Sequence, residues 1–284
     1  MTERIESVLN QTGLNWTVRQ EKLTTESGLI LDNYNALVRE DTQTVLSVHR
    51  DTYYPYQNEQ LVELLDRVSQ QTGLGIHRGG MFGDGRKVFI QLKSENLLLG
   101  NDRVEGYITG VNSFDGSTSL AFGPSNVTIS CQNSFFAAFR NLNAKVRHTK
   151  NMDVRIDDIC RGMENVLVEE REMFNSIRTM SEERFTKEDK DWVTRLLFDI
   201  GKDIELDGYM DNKELSTVTK NRLSRFYIDL NGEIQQKGDN KWGLFSGVTK
   251  YTTHSMTKGD NTENKMFGVY GNRERQIFKE LVLV

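Results

Sequence analysis

Residues 74–122 place the tightest limit on what this chain can fold into. Four β-prone runs, 74–78, 87–93, 104–111 and 117–122, follow one another there, punctuated by Asp84-Gly85 and Asp115-Gly116. That dipeptide supplies the positive φ angles of tight hairpins, and consecutive strands joined by short turns pair antiparallel. The stretch therefore predicts a β-meander. A helix is expected just before it, because Leu61, Leu64, Leu65 and Val68 recur at helical spacing after Pro55. Asn58 is its expected N-cap and Gly73 its closing residue. After the meander, residues 127–130 read as a short strand. Asn133 or Ser134 then caps a helix through Phe135, Phe136, Ala138 and Phe139. Upstream, 36–39 and 45–48 read as a hairpin around Asp41-Thr42-Gln43, with 16–18 able to pair beside it. Helices and antiparallel strands segregated in this way predict an α+β fold with a β-meander core and flanking helices.

Beyond residue 150 the pattern turns helical. Ile156, Ile159, Met163, Val166, Leu167 and Phe174 share one face of a long periodic segment, which the polar stretch 179–183 is expected to break. Further helices are expected over 187–200 and near 215–230. Residues 238–240 read as a linker to a separate terminal portion, with a helix over 242–254, a polar loop at 258–264, and a helix or strand over 276–284. The expected organisation is an α+β core domain at 1–150 and a mainly helical region at 151–284 packed on it.

Composition excludes several classes. No run approaches the roughly 18 to 20 consecutive apolar residues of a membrane span, and the first residues lack the apolar core of a secretory signal. A soluble, cytoplasmic protein is expected, in which Cys131 and Cys160 are reduced. A net charge of −5 argues against a bulk polybasic nucleic-acid binder, although it leaves room for one basic face.

The local motifs narrow the chemistry. The glycine cluster at 79–87 resembles a phosphate-binding loop in composition, but a strand follows it where such a loop needs a helix N-terminus. A hairpin turn is expected instead. Residues 203–214 place oxygen-bearing side chains at positions one, three, five, nine and twelve of a calcium-type loop, with Gly208 at the sixth. Glu205 is long for its position, Gly201 and Lys202 replace apolar residues of an entering helix, and no partner loop exists. A solvated acidic connection is thus the expected reading. His49, His77, His148 and His254 show no metal-ligand spacing, and neither cysteine sits in a nucleophile motif. No metal, cofactor or enzymatic activity is expected.

The segment 140–150 is locally basic. Lys and Arg along one edge, with aromatic residues in nearby β loops, suit a single strand held by backbone charge and base stacking. An ordinary solvated turn after a helix is the alternative.

Several segments, in order, carry a family resemblance. They are 45–66 with its Tyr54-Pro55-Tyr56-Gln57-Asn58 core, 80–93, Ser130-Cys131-Gln132-Asn133-Ser134, and Arg147-His148-Thr149. The chain resembles the phage- and plasmid-borne family called domain of unknown function 932. Residues 241–251 (Lys-Trp-Gly-Leu-Phe-Ser-Gly-Val-Thr-Lys-Tyr) resemble its closing W-G-x-x-N-A-V-T-x-Y signature, with Ser246 and Gly247 departing from Asn-Ala. The resemblance implies a mobile-element origin and no mechanism.

The order strand, helix, meander, helix is also similar to the core of single-strand annealing recombinases. The leading expectation is therefore binding or annealing of single-stranded DNA by a protein that can form homo-oligomers. Arg86, Lys87, Arg140, Lys145, Arg147 and Lys150 are the expected phosphate contacts, and Tyr54 and Phe82 the stacking platforms. A non-enzymatic factor that engages other proteins is the alternative. Gln57, Asn58, Gln132 and Asn133 are expected to satisfy backbone groups at strand-to-helix junctions rather than touch ligand.

Overall fold

The structure is a computed structural model that describes residues 2–99, 102–126, 142, 144–152, 154–156, 166–255 and 269–283. The segments 127–141 and 157–165 lie outside the described residues, as does 256–268. With them go the expected strand at 127–130, the helix that follows it, Gln132, Asn133, both cysteines, and the loop at 258–264. The chain divides into two compact units, one of Met1–Asn96 with Glu105–Glu170 and one of Leu97–Val104 with Arg171–Val284.

The first unit is α+β. After α1 (Glu3–Thr12) come β1 (Val18–Thr24), β2 (Ile30–Arg39) and β3 (Thr44–Arg50), an antiparallel sheet in the order β1-β2-β3. Helix α2 (Asn58–Thr72) precedes β4 (Ile76–Phe82) and β5 (Lys87–Lys93); β8 (Tyr107–Ser113), β9 (Leu120–Ser125) and β10 (Ala144–Val146) complete a second sheet. Its order is β10-β9-β8-β5-β4, in which β4, β5, β8 and β9 are the expected meander and β10 adds a strand within the segment expected as a basic turn. Every residue of β8 and β9 is buried, so these strands carry apolar side chains on both faces. Leu61, Leu65 and Val68 of α2 are fully buried in the same core. Gly110 of β8 lets α2 approach, since an added Cβ would lie 2.4 Å from Leu65 Cδ2. Arg4 ties α1 to α2 through Asp66 at 2.6 Å and Ser69 at 2.9 Å.

Helix α2 begins one residue earlier than expected. Gln57 is its N-cap, and the Gln57 amide N–H donates to Gln60 Oε1 at 2.8 Å. Asn58 is drawn away from capping because its Nδ2 donates to the carbonyls of Leu14 and Trp16 at 3.1 and 3.0 Å. The Gln57 side chain exchanges two hydrogen bonds with the Val18 backbone, at 3.0 and 2.8 Å. Both amides therefore serve backbone groups, closing the outer edge of β1 in the manner of a further strand.

The second unit is helical apart from the small hairpin β6 (Leu97–Leu99) and β7 (Asp102–Val104). Its helices are α3 (Val166–Glu182), whose first residues belong to the other unit, α4 (Lys187–Phe198), α5 (Thr217–Lys237), α6 (Lys241–Lys250) and α7 (Val269–Leu283). The break expected at 179–183 falls at the far end of that stretch: α3 stops at Glu182 and α4 starts at Lys187. Ile177 and Met180 are both buried in this unit's core, and that continued apolar stripe carries α3 through to Glu182. Residues 238–240 form a tight corner rather than a linker, with Asn240 capping α6 through a 2.8 Å bond from Gly243 N.

The signature at 241–251 is explained by packing in this unit. Trp242 Nε1 donates to Asp102 Oδ2 at 3.0 Å, which anchors the β6-β7 hairpin. Tyr251 is 1% exposed in the core. Gly243 is obligatory for a different reason, because a Cβ there would lie 2.4 Å from the Gly238 carbonyl oxygen. At Gly247 a Cβ would meet the Leu230 Cα at 2.7 Å, so the departure from Ala allows α5 and α6 to approach closely. Gly243→Ala is expected to lower the stability of this unit by about 2 kcal/mol despite the better helix propensity of alanine, read by urea denaturation. An unchanged midpoint would contradict this role.

Candidate functional site

One end of the five-stranded sheet gathers most of the chemistry-bearing residues. The β4-β5 turn, the β8-β9 loop and the segment after β10 all lie there. The register places Phe82 opposite Lys87, Lys87 opposite Ser113, and Leu120 opposite Val146. Strand β3 joins this end through Ser47 Oγ and His49 Nε2, both bonded to the Phe114 carbonyl at 2.5 and 3.1 Å.

The expected contact residues fall into distinct environments. Lys145, Arg147 and Lys150 are exposed, as is Arg86, whose Nε donates to the Leu46 carbonyl at 2.9 Å. Tyr54 is 39% exposed, and its backbone exchanges hydrogen bonds with His148, which fixes it beside Arg147. Between β5 and β10 stand two strands, so Arg86 and Arg147 are separated by about 14 Å of sheet. Phe82 is half-buried and stacks on Phe89 at 5.6 Å. Lys87 is in the interior, 4% exposed, and its Nζ is bonded to Asp115 Oδ2 at 2.6 Å. Arg140 lies outside the described residues.

A partly buried stack that sequence spacing does not signal lies beside this surface. The Tyr53 ring is parallel to His49 at 4.0 Å and to His148 at 4.8 Å, one imidazole on each face. The Tyr53 hydroxyl donates to the Ser113 carbonyl at 2.8 Å. Burial, with the Asp115 charge, pushes the phenol well above its ordinary value. Burial also drives His148 down to about 4; hydrogen bonds to the Tyr54 and Thr118 backbone oppose this, and the His49 charge reinforces it. For Asp115, burial raises the carboxyl, but hydrogen bonds from Lys87 and Ser117 outweigh it and hold the group below the usual carboxylate range. Gly116 closes over the stack with φ at +73°, where a Cβ would sit 2.8 Å from His49 Cε1. A side chain there would both strain the backbone and displace the imidazole.

His49 and His148 each stack on Tyr53, and each has a ring nitrogen bonded to a backbone carbonyl, of Phe114 and of Tyr54. His77 packs instead on Tyr107 at 5.7 Å. Among the described residues no group of three or more His, Cys, Asp or Glu is placed to hold a metal ion. The acidic loop at 203–214 turns inward on itself: Asp207 pairs with Lys187, and Asn212 Nδ2 donates to the Glu205 carbonyl at 3.0 Å. With α4 and α5 the loop borders a cleft of 470 Å³, lined by Lys190, Tyr209 and Tyr227 among others. No described helix is long and apolar enough to cross a membrane.

Comparison with curated proteins and with solved structures finds no match. A family profile does match. It covers residues 45–276, from β3 into α7, and so takes in the Tyr53 stack, the Lys87–Asp115 pair and the Trp242–Tyr251 packing motif. That family is described as Domain of unknown function (DUF932), and the chain belongs to it.

Proposed function

We propose that this protein binds single-stranded DNA at the end of its five-stranded sheet, and that annealing of complementary strands is the activity this binding serves. The observation that carries the reading is the grouping of Arg86, Lys145, Arg147 and Lys150 with the half-exposed Tyr54 at that one end. The cations are exposed: Lys145 lies in β10, Arg147 and Lys150 follow it, and Arg86 immediately precedes β5. Guanidinium and ammonium groups attract phosphates, and a phenol ring offers any base a face to stack on. A sequence-tolerant single-strand site needs no more than these. Lys87 does not join this surface; it supports the surface from below by neutralising Asp115.

The test is a fluorescence-anisotropy titration of the full chain with a labelled single-stranded oligonucleotide at several salt concentrations, with a duplex of the same sequence beside it. Each phosphate neutralised on a single strand contributes about −0.7 to the slope of log K against log salt. Replacing Lys145, Arg147 and Lys150 by alanine is therefore expected to flatten that slope by about 2 units, while the thermal transition stays in place. No binding at low salt, or an unchanged slope in the triple variant, would reject the reading.

A further inference from the structure

We infer that the outer face of the β1-β2-β3 sheet, with the ribbon that extends from it, is the contact surface of a twofold dimer of this chain. The exposed apolar side chains are not scattered. Six of the fourteen large ones exposed among the described residues fall between Leu29 and Val48.

The strand registers show how they are arranged. Pairing of β2 with β3 ends at Tyr34 opposite Arg50, whereas pairing of β1 with β2 runs on to Thr24 opposite Ile30. A two-stranded ribbon thus extends past the third strand, and its tip presents Leu29, Ile30 and Leu31 at 67%, 60% and 41% exposure. Ribbons of two strands are marginal in water without a covered face. Along the sheet, Val48 stands opposite Ala36 and Val45 opposite Val38, so both share a face with Tyr34. The opposite face sends Leu37 and Leu46 into the unit's core. On the Tyr34 face Ala36 and Val38 are buried between β1 and β3, with Arg19 and Glu21 opposite them on β1, and Tyr34, Val45 and Val48 are the apolar side chains left exposed.

Each edge of the sheet already has a backbone position taken by a side chain. Gln57 occupies the Val18 backbone on the free edge of β1, and Arg86 takes the Leu46 carbonyl on β3. The exposed Tyr34, Val45 and Val48 lie on a face rather than an edge, which suits face-to-face packing of two sheets.

Charge favours a second copy as the occupant. The flank on β1 carries Arg19 bonded to Glu21 at 2.7 Å, and the flank on β3 ends in Arg50 and Asp51, so each flank holds both signs. A surface with both signs on either side is suited to a twofold contact, in which the same patch must complement itself. The six side chains expose roughly 500 Å² per copy, a large patch for a monomer. Two copies would cover about 1,000 Å², the lower bound of a stable interface.

The inference does not depend on the nucleic-acid reading. It is tested by sedimentation velocity on the full chain from 1 to about 100 µM, with Ile30→Glu, Val48→Glu and, as a control at an exposed position of α5 in the other unit, Ile228→Glu. The expected result is a species of twice the 32.7 kDa chain for the native protein and the control, with the dimer dissociation constant raised at least about 30-fold in the two sheet variants. Circular dichroism melts confirm that each variant is folded. A native protein that stays monomeric throughout, or a dimer that persists unchanged in both folded sheet variants, would overturn it.

Discussion

Asp115→Ala is expected to lower the unfolding free energy of the first unit by about 3 to 5 kcal/mol, among the largest effects of any single substitution in it. The reason is the position of Lys87, whose side chain is 5% exposed, while that of Asp115 is 16% exposed. Bringing this ion pair into the interior removes both groups from water, and their 2.6 Å contact offsets that cost. Deleting the carboxylate leaves an ammonium whose desolvation is no longer balanced by it. Lys87→Met in the same background is therefore expected to recover most of the loss, because a similar volume then fills the site without charge. Urea denaturation of the two single variants and the double variant measures the coupling, and hydrogen exchange at β5 and β8 assigns the transition to this unit. Strictly additive losses would show that the pair contributes nothing beyond its separate parts. The same substitution should also loosen the β8-β9 loop, since Asp115 accepts the Ser117 backbone N–H at 3.0 Å.

The second large effect is on acid stability. His148 is held neutral by burial, with its value lowered to about 4 from an ordinary 6.5. Between these two values the unfolded chain binds a proton that the folded chain refuses. Stability from this group is complete above pH 6.5 and is lost as the pH falls through 4, a total of about 3 kcal/mol. His148→Phe keeps a ring against Tyr53 but cannot titrate. The difference in stability between the native protein and this variant is expected to shrink by that amount from pH 7 to pH 4, and to stay level from pH 7 to pH 8. A difference that does not change with pH would show that the imidazole titrates in the folded protein as it does in the unfolded chain. Asp115 acts in the same direction at lower pH, since its carboxyl is held below the usual range, and it cancels in the comparison because both proteins carry it.

These two predictions rest on residues that the sequence presented differently. Lys87 stands in a basic, glycine-rich stretch and reads as a surface cation. Its partner Asp115 is 28 residues away, and only the pairing of β5 with β8 brings them together. His148 and His49 are separated by almost a hundred positions, and nothing in their spacing suggests that one tyrosine lies between them. Cross-strand neighbours of this kind are fixed by register, and register depends on which faces are buried over the whole sheet.

What the sequence determined by itself is local. The α2 helix, closed by Gly73, follows from the spacing of its leucines, and the meander follows from β-prone runs separated by turn residues. The family could be read from short motifs, and two residues of those motifs, Trp242 and Gly243, are ones that packing requires in this chain. The tertiary structure decided what depends on distant partners. It drew Asn58 from its expected cap to the Leu14 and Trp16 carbonyls, and it set the end of α3 at Glu182, late in the polar stretch, because Met180 had a core to enter. It assigned the β6-β7 hairpin to the helical unit through the bond from Trp242 to Asp102, 140 residues apart. It also separated the exposed cations from the buried one. Propensity and periodicity act over a few residues, whereas burial is a property of the assembled chain, and burial decides whether a charged group is a binding residue or half of an internal ion pair.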